Sequence, residues 1–289
     1  MEILTTGLVL EGGGLRCVFT GGVLEYFMEQ SFYVSYVIGV SAGACSGTSY
    51  VSRQRGRNKQ VTIGYVRDPR YISYLSFLRG KGLLGMDFLF DEIPNKLVPL
   101  DRLALKSAVE KMIVVATDCE TGNAVYFDKD VCSNYDEAVR ASSSLPFVTP
   151  SVELDGMILV DGGVADSIPI RKSIADGNQK NIIILTRERG YRKPVRQSSS
   201  IKKWLIKRYY HNYPNLIKAL ELRNQRYNET LDYIEELEKQ GKVLIIQPKA
   251  PVTVNRLDKD TNKLEEFYLQ GYKQAANRFQ EIVDFTRSI

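Results

Sequence analysis

Residues 39–43 (GVSAG) hold a serine between small residues, at the end of a short apolar run at 36–40. The apolar run predicts a buried strand, and the small residues after Ser41 allow a helix to pack tightly against a sheet. A strained strand-to-helix turn of this kind lifts a serine hydroxyl clear of the sheet, where it can act as a nucleophile. Ser41 is therefore the candidate nucleophile, and Gly39 and Gly43 are the residues that permit the turn.

A serine nucleophile needs a neighbouring base to accept its proton, and the usual base is histidine. The chain has one histidine, His211, which stands among tyrosines in residues 209–213 (YYHNY). Asp161 is a second candidate, because it follows an apolar run and precedes Gly162 and Gly163. An aspartate before glycine is also common in turns that carry no chemistry. On the residues alone, the identity of the base stays open.

A glycine-rich loop, residues 12–16 (GGGLR), lies between a predicted strand and a predicted helix. Gly12, Gly13 and Gly14 let the backbone turn sharply and present successive N–H groups at a helix N-terminus, where an anion is favoured. A dinucleotide-binding fingerprint would continue the glycine pattern, but the next position is a cysteine. The loop is thus a candidate anion site, and a tight turn without a ligand is the plain alternative.

Together and in this order, the GGGLR loop, the GVSAG turn and the DGG triplet at 161–163 resemble the motifs of the patatin-like phospholipases. Residues 141–147 (ASSSLPF) look like the small-residue segment that this family carries before its DGG strand. The resemblance covers about residues 5–172, and residues 173–289 look similar, on weaker signals, to the C-terminal part of bacterial members. Cys17 departs from the glycine that often follows the arginine of the loop.

The resemblance implies a catalytic dyad of Ser41 and Asp161 without a histidine, on a three-layer α/β/α sandwich with a mainly parallel central sheet. Ser41 would attack an ester carbonyl and form an acyl-serine, and Asp161 would accept the proton. The N–H groups of residues 12–14 would form the oxyanion hole, to which the Ala42 amide and Arg16 would add positive potential. The expected function is a serine acyl hydrolase, a phospholipase or lipid esterase, whose substrate is a lipid or another acyl ester.

The composition of the chain limits which other classes of protein it can belong to. The chain of 289 residues is 44% hydrophobic and 25% charged, and no apolar run approaches the ~20 residues of a membrane-spanning helix. The first residues lack a basic stretch, so no signal peptide is expected, and four scattered cysteines predict reduced thiols without a metal cluster. We expect a cytoplasmic enzyme without metal or cofactor, with peripheral contact at the inner membrane surface left open.

Apolar runs that alternate with helical patterns predict a mainly parallel sheet covered on both faces. The clearest helical pattern after the motifs spans residues 261–285. Residues 54–110 show little helical or strand periodicity and are expected to be irregular, with short helices near 71–78 and 101–107. Because repeats and low-complexity linkers are absent from the sequence, residues 1–289 are expected to form a single domain, in which 5–172 are the catalytic region and 173–289 are an extension packed on the same core.

Positive charge is concentrated in two segments. Residues 53–81 hold eight basic residues and one acid, and residues 187–208 hold nine basic residues and one acid. A solvated face is the ordinary interpretation of each segment alone. Beside lipase-like motifs, the two segments favour contact with an anionic membrane surface, with 53–81 as a cap beside Ser41 and 187–208 facing the bilayer. Nucleic acid is not expected as a partner, because no recognition motif is present in the sequence.

Three alternatives remain open. Ser41, Asp161 and His211 follow the chain order of an α/β-hydrolase triad, although no strand is predicted immediately before His211. A non-catalytic lipid- or membrane-binding protein with an inactive site is a second alternative. An acyltransferase, which passes the acyl group to an alcohol in place of water, is the third.

Overall fold

The computed structural model describes residues 4–73, 82–195 and 206–287. The strands are β1 (Leu4–Leu10), β2 (Val34–Val40), β3 (Lys111–Asp118), β4 (Ala124–Asp128), β5 (Val152–Leu154), β6 (Met157–Asp161), β7 (Asn181–Ile184) and β8 (Val243–Ile246). The helices are α1 (Val18–Glu29), α2 (Ala42–Val51), α3 (Arg57–Tyr65), α4 (Arg102–Ser107), α5 (Tyr135–Ser142), α6 (Ile170–Ala175), α7 (Pro214–Lys239), α8 (Thr261–Asn277) and α9 (Phe279–Arg287). Short helical turns lie at Gly14–Cys17 and Gly162–Val164, and a π-helical segment lies at Phe88–Leu97.

All eight strands belong to one sheet, in the order β5-β6-β3-β2-β1-β7-β8, and β4 pairs with β3. The pairs β3–β2, β2–β1, β1–β7 and β7–β8 are parallel. The pairs β3–β4, β3–β6 and β5–β6 are antiparallel. Side chains alternate across the sheet: Leu8 and Leu10 of β1 face one apolar core with α1 and α8, and Val9 faces another with α7. The predicted three-layer α/β/α sandwich with a mainly parallel sheet is confirmed.

The C-terminal third of the chain packs on this same sheet. Strands β7 and β8 extend it beside β1, while α7 and α8 cover opposite faces. Helix α8 lies close along α1 because Gly22 of α1 leaves no side chain between the helices; a Cβ there would overlap the backbone of Tyr268. The rings of Phe19 and Phe267, with centroids 5.3 Å apart, fill the same interface.

Two predicted regions differ from the observed structure. Residues 54–110 are less irregular than expected, since they contain α3 and the π-helical segment, although α4 lies where a helix was expected. Helix α3 escapes prediction because Asn58 is its one buried residue, and the π-helical segment contains Pro94, which normally ends a helix. The rest of the helix expected near 71–78 lies outside the described residues, and residues 71–73 are not helical.

The helix expected at 261–285 is two helices, α8 and α9, which are separated at Arg278. The Arg278 Nη1 donates a hydrogen bond of 2.6 Å to the carbonyl oxygen of Ile245 in β8. This tertiary contact is invisible in the apolar periodicity, which continues through the break. Among the described residues, none of the helices is long and apolar enough to cross a membrane.

Candidate active site

Ser41 lies at the turn from β2 to α2, with φ 55° and ψ −129°. This conformation costs a non-glycine residue about 1–3 kcal/mol, so surrounding contacts must maintain it. Backbone approaches the turn closely on both sides: a Cβ would lie 2.7 Å from Ala44 Cα at Gly39, and 2.6 Å from the Glu11 carbonyl oxygen at Gly43. The turn therefore has the strained, tightly packed backbone of a nucleophile elbow.

A buried hydroxyl of α5 holds this turn in place. The Ser41 N–H donates a hydrogen bond of 2.7 Å to Ser142 Oγ, and the Ser142 hydroxyl donates one of 2.6 Å to the Val115 carbonyl oxygen of β3. Ser142 is fully buried. It belongs to the ASSSLPF segment, for which the sequence alone indicated no individual role. Ser142 thus ties the strained elbow to the central sheet.

The sheet register brings Asp161 to the elbow. Val40, the last residue of β2, pairs with Val115 of β3, and Asp161, the last residue of β6, pairs with the next residue, Ala116. Strand β4 pairs with the same part of β3, so it occupies the opposite edge. Strands β2 and β6 must therefore share one edge of β3, and Ser41 and Asp161 lie where the ends of these two oppositely directed strands meet.

The two carboxylate oxygens of Asp161 have different surroundings. Asp161 is 2% exposed, and its Oδ1 accepts a hydrogen bond of 2.7 Å from the Gly163 N–H. Its Oδ2 is buried without a hydrogen-bond partner among the described residues. Gly162 lies so close to β3 that a Cβ there would overlap the Val115 carbonyl. Since an unpaired buried oxygen is costly, it marks a position where a proton can be accepted during chemistry.

The glycine loop lies directly against Ser41. A Cβ at Gly12 would be 3.2 Å from Ser41 Cβ. Within the described part of the chain, the N–H groups of Gly12, Gly14 and Ala42 donate to no protein acceptor, whereas the Gly13 N–H faces the Cys17 thiol. Free backbone donors next to a nucleophile can stabilise the negative charge that develops on a carbonyl oxygen.

An apolar cavity of about 160 Å³ contains Ser41 in its wall. Residues 57–72 contribute six of its lining side chains, and the π-helical segment contributes three more. Apolar side chains from elsewhere in the chain complete the wall, among them Leu15, Leu84, Met86, Leu100, Val139, Leu145 and Leu257. A narrow apolar space beside a serine suits an unbranched acyl chain.

Two residues singled out in the sequence lie away from this cavity. The Arg16 side chain is 5% exposed and lines a separate cavity, in whose wall Ser41 is not found. His211 is exposed, lines neither cavity, and its Nδ1 lies 3.3 Å from the Arg208 carbonyl oxygen. In the described structure, His211 therefore contacts neither Ser41 nor Asp161.

Many cations of the two basic segments contact acidic side chains elsewhere in the protein. These ion pairs are Arg53–Glu110, Arg55–Glu25, Lys59–Glu265, Arg70–Glu92, Arg189–Glu238 and Arg192–Asp232. Arg187 and Lys193 line the separate cavity that contains Arg16. Arg67 and Lys207 are exposed and form no ion pair with any described residue. Some cations of the two segments are therefore ion-paired or line a cavity, and others are exposed and unpaired among the described residues.

Two supporting residues could not be predicted from their sequence neighbourhoods. The Arg256 carbonyl oxygen accepts a hydrogen bond of 3.0 Å from the Leu15 N–H, and it would lie 2.7 Å from a Cβ at Gly14, whose φ is +58°. The Arg223 Nε donates a hydrogen bond of 2.6 Å to the Gly163 carbonyl oxygen. Both arginines come from the C-terminal third, and positive charge is their only signal in the sequence.

The fold and the site define an α/β protein with a serine elbow, a buried aspartate on another strand of the same sheet and a glycine-rich loop against the serine. A sequence model of the patatin-like phospholipases matches residues 8–174, and the chain belongs to that family. A second model, for a domain of unknown function (DUF6363), matches residues 213–287. Membership of the family supports a lipid-hydrolysing enzyme with a lipid substrate.

Two similar proteins match this chain over more than its motif-bearing region. The uncharacterized protein YjjU of Escherichia coli is 26% identical over 91% of this chain and 74% of its own length. Lysophospholipase NTE1 of Candida glabrata is 25% identical over 92% of this chain, which spans only 15% of that protein. Among solved structures, VipD of Legionella pneumophila aligns over 96% of this chain and 67% of its own, with a TM-score of 0.47 and 12% identity.

Proposed function

We propose that this protein is a serine acyl hydrolase that cleaves acyl esters of lipids, with Ser41 as the nucleophile and Asp161 as the base. One observation carries the proposal: the strained Ser41 elbow stands beside a buried aspartate whose Oδ2 has no partner among the described residues. Membership of a phospholipase family supports a lipid as the substrate. Similarity to a yeast lysophospholipase supports lysophospholipids in particular.

In the first half-reaction, Ser41 Oγ attacks the ester carbonyl carbon while its proton passes to Asp161 Oδ2. The carbonyl oxygen becomes an oxyanion that accepts hydrogen bonds from N–H groups of residues 12–14 and from the Ala42 amide. The C–O bond to the alcohol then breaks, the alcohol takes the proton from Asp161, and an acyl-serine remains. Water attacks the acyl-serine in the same way, which releases the fatty acid and restores Ser41.

The apolar cavity beside Ser41 is proposed to hold the acyl chain. Its wall combines the glycine loop, α2, α3 and the π-helical segment. An acyl chain in this space would leave water and gain about 0.8 kcal/mol per buried methylene. Residues 57–72 would thereby act as the cap that the sequence predicts beside the elbow.

We further propose that residues 1–289 act as a single domain at the cytoplasmic side of an anionic membrane. The shared sheet and the two apolar cores support one domain, because both parts of the chain contribute to them. The exposed and unpaired Arg67 and Lys207, one from each basic segment, support contact with anionic lipid.

The proposal is tested by hydrolysis of a chromogenic fatty acyl ester and of a lysophospholipid by the wild type and by Ser41→Ala. We expect the wild type to release fatty acid and Ser41→Ala to lose at least about 1,000-fold in kcat/KM, because no other group can form the acyl intermediate. Mass spectrometry of the wild type, quenched during turnover, should find the acyl group on Ser41. A wild type that binds lipid without releasing fatty acid would contradict the proposal.

A further inference from the structure

The separate cavity that contains Arg16 has a volume of about 430 Å³ and a strongly basic wall. Its cationic side chains are Arg16, Arg187, Lys193, Arg223 and Arg256. None of these five forms an ion pair with any described residue. Positive charge in this cavity is therefore not neutralised by ion pairing within the described protein.

Among the described residues, Glu11 is the one carboxylate in the wall, and both of its oxygens already accept hydrogen bonds. Its Oε1 accepts a hydrogen bond of 2.7 Å from the Tyr227 hydroxyl, and its Oε2 accepts two from Thr186, of 2.6 Å from the N–H and 2.9 Å from the hydroxyl. Glu11 offsets one of the four arginine charges, but it accepts no hydrogen bond from these arginines. The cavity consequently retains an excess of positive charge and a set of free N–H donors.

Burial makes this excess costly. Arg16 is 5% exposed, and the Nε atoms of Arg16 and Arg187 are buried without a hydrogen-bond partner among the described residues. Burial, together with the nearby Arg223 and other cations, lowers the pKa of Lys193 to about 6. Burial likewise lowers the pKa of Arg223. Unpaired buried cations are rare in proteins, because their desolvation is compensated only when an opposite charge is present.

We propose that this cavity binds a phosphate group that carries two or more negative charges, such as a phosphomonoester. Arginine forks match pairs of phosphate oxygens, and several forks around one cavity favour a multiply charged tetrahedral anion over a carboxylate. The phosphate can belong to the head group of a lipid substrate, in which case the inference rests on the proposed function. It can also belong to a free phosphate compound that binds beside the active site.

Two contacts connect the cavity to the candidate active site. Arg256 lines both this cavity and the apolar cavity that contains Ser41. Arg223 donates to the Gly163 carbonyl oxygen at 2.6 Å, and the Gly163 N–H donates to Asp161 Oδ1 at 2.7 Å. A phosphate held by these arginines would therefore lie one loop away from the reacting ester.

The experiment compares the wild type with Arg187→Gln/Lys193→Gln. These two side chains lie over the rings of Tyr191 and Tyr227, and their removal relieves repulsion without breaking an ion pair of the described structure. Arg189→Gln is the matched control, since Arg189 belongs to the same segment but pairs with Glu238 at the surface. Inorganic pyrophosphate is the probe, and its effect on the Tm is measured for all three proteins.

Pyrophosphate should raise the Tm of the wild type and of Arg189→Gln, because a ligand that binds only the folded state stabilises it. In the double variant the Kd for pyrophosphate should be at least about 10-fold weaker, because two cationic donors of charge-assisted hydrogen bonds to the anion are lost. An equal rise in all three proteins, or no rise in the wild type, would overturn the proposal.

A kinetic comparison distinguishes the two sources of phosphate. The kcat/KM is measured for lysophosphatidic acid and for a monoacylglycerol with the same acyl chain. If the head group is the ligand, the double variant lowers the ratio of the two by about 10-fold or more. An unchanged ratio with a lost Tm response assigns the cavity to a free phosphate compound. A wild type without hydrolysis contradicts the proposed function alone, because the pyrophosphate response does not depend on turnover.

The pH dependence of anion binding provides a separate test of the role of Lys193. The groups that face it are Arg16, Arg223, Arg256 and Glu11, with Arg187, Tyr191 and Tyr227 in the same wall. Because the pKa of free Lys193 is about 6 and a bound anion raises it, the lysine takes up a proton on binding. Sulfate, whose charge is constant over this range, should therefore bind more weakly as the pH rises from about 6 to about 8. Tighter sulfate binding at the higher pH would contradict the role of Lys193.

Discussion

At the residue scale, Ser41 holds backbone angles that the surrounding side chains must maintain. Its φ of 55° is unfavourable for serine, and the N–H of that same residue donates to Ser142. The Ser142 hydroxyl continues to the Val115 carbonyl, so one small side chain links the elbow to the sheet. Ser142 does not contact the reacting atoms in the proposed mechanism, and we consider it a positioning residue for Ser41.

Ser142→Ala should lower kcat for ester hydrolysis by about 10-fold with little change in KM, because the nucleophile is displaced while the acyl cavity remains. Loss of the two hydrogen bonds should also reduce the free energy of unfolding by about 1–2 kcal/mol. Ser52→Ala is the control, since Ser52 is a comparably buried hydroxyl at the far end of α2. If both variants lower stability equally and neither changes kcat, Ser142 has a merely structural role.

At the element scale, the register of β2 and β6 on one edge of β3 brings Ser41 and Asp161 together. The elements that cover Ser41, α3 and the π-helical segment, come from the part of the chain whose pattern was least informative. Their apolar side chains form the wall of the cavity proposed for the acyl chain. Selectivity for chain length should therefore be set by these two elements.

Val61→Trp in α3 tests the acyl cavity, because Val61 lies in its wall and a larger side chain would fill part of it. We expect the kcat/KM for a dodecanoyl ester, relative to a butyryl ester, to fall at least about 10-fold, since each excluded methylene forfeits about 0.8 kcal/mol. Val131→Trp is the matched control, as Val131 is 83% exposed and is not part of the cavity wall. A ratio that stays unchanged in Val61→Trp would place the acyl chain elsewhere.

At the scale of the whole molecule, the chain has a formal net charge of +5, although its positive charge is concentrated in two segments. Several cations of these segments are paired within the protein, and Arg187 and Lys193 line a cavity. The surface charge available to a membrane is accordingly smaller than the sequence count indicates.

Vesicles that contain phosphatidylserine should bind the wild type more strongly than vesicles of phosphatidylcholine, and salt should weaken the binding. Arg67→Glu/Lys207→Glu should weaken it at least about 10-fold, because each surface cation contributes about 1 kcal/mol. Lys239→Glu/Lys249→Glu changes the net charge equally at exposed positions outside the segments and serves as the control. Equal losses in cosedimentation for both double variants would indicate a non-specific effect of net charge.

Much of the fold could be predicted from sequence, because its strands are continuous apolar runs and its motifs stand at strand ends. The positions of Ser41 and Asp161 follow from the same logic, since glycines mark the turns that release both side chains from the sheet. The contacts of Ser142, Arg223 and Arg256 could not be predicted, because they join residues distant in the chain through single hydrogen bonds. The role of Ser41 and Asp161 as a dyad stays a prediction.

For the same reason, the sequence could not assign the charges of Arg187 and Lys193. Their neighbours along the chain are basic, which is typical of a membrane-facing segment. Only the tertiary structure places them in one wall with Arg16 and Arg223. A run of basic residues in the sequence shows where charge is concentrated along the chain. Whether a given side chain faces a cavity or the solvent depends on tertiary packing.

The most direct measurement is the hydrolysis of a chromogenic fatty acyl ester by Asp161→Asn and His211→Ala beside the wild type, with folding checked by circular dichroism. We expect Asp161→Asn to lose about 10²–10⁴-fold in kcat, because an amide cannot accept the Ser41 proton. His211→Ala should retain wild-type activity, since His211 is exposed and contacts neither catalytic candidate. Equal losses in both variants would indicate a triad that includes His211 and would contradict the Ser41–Asp161 dyad.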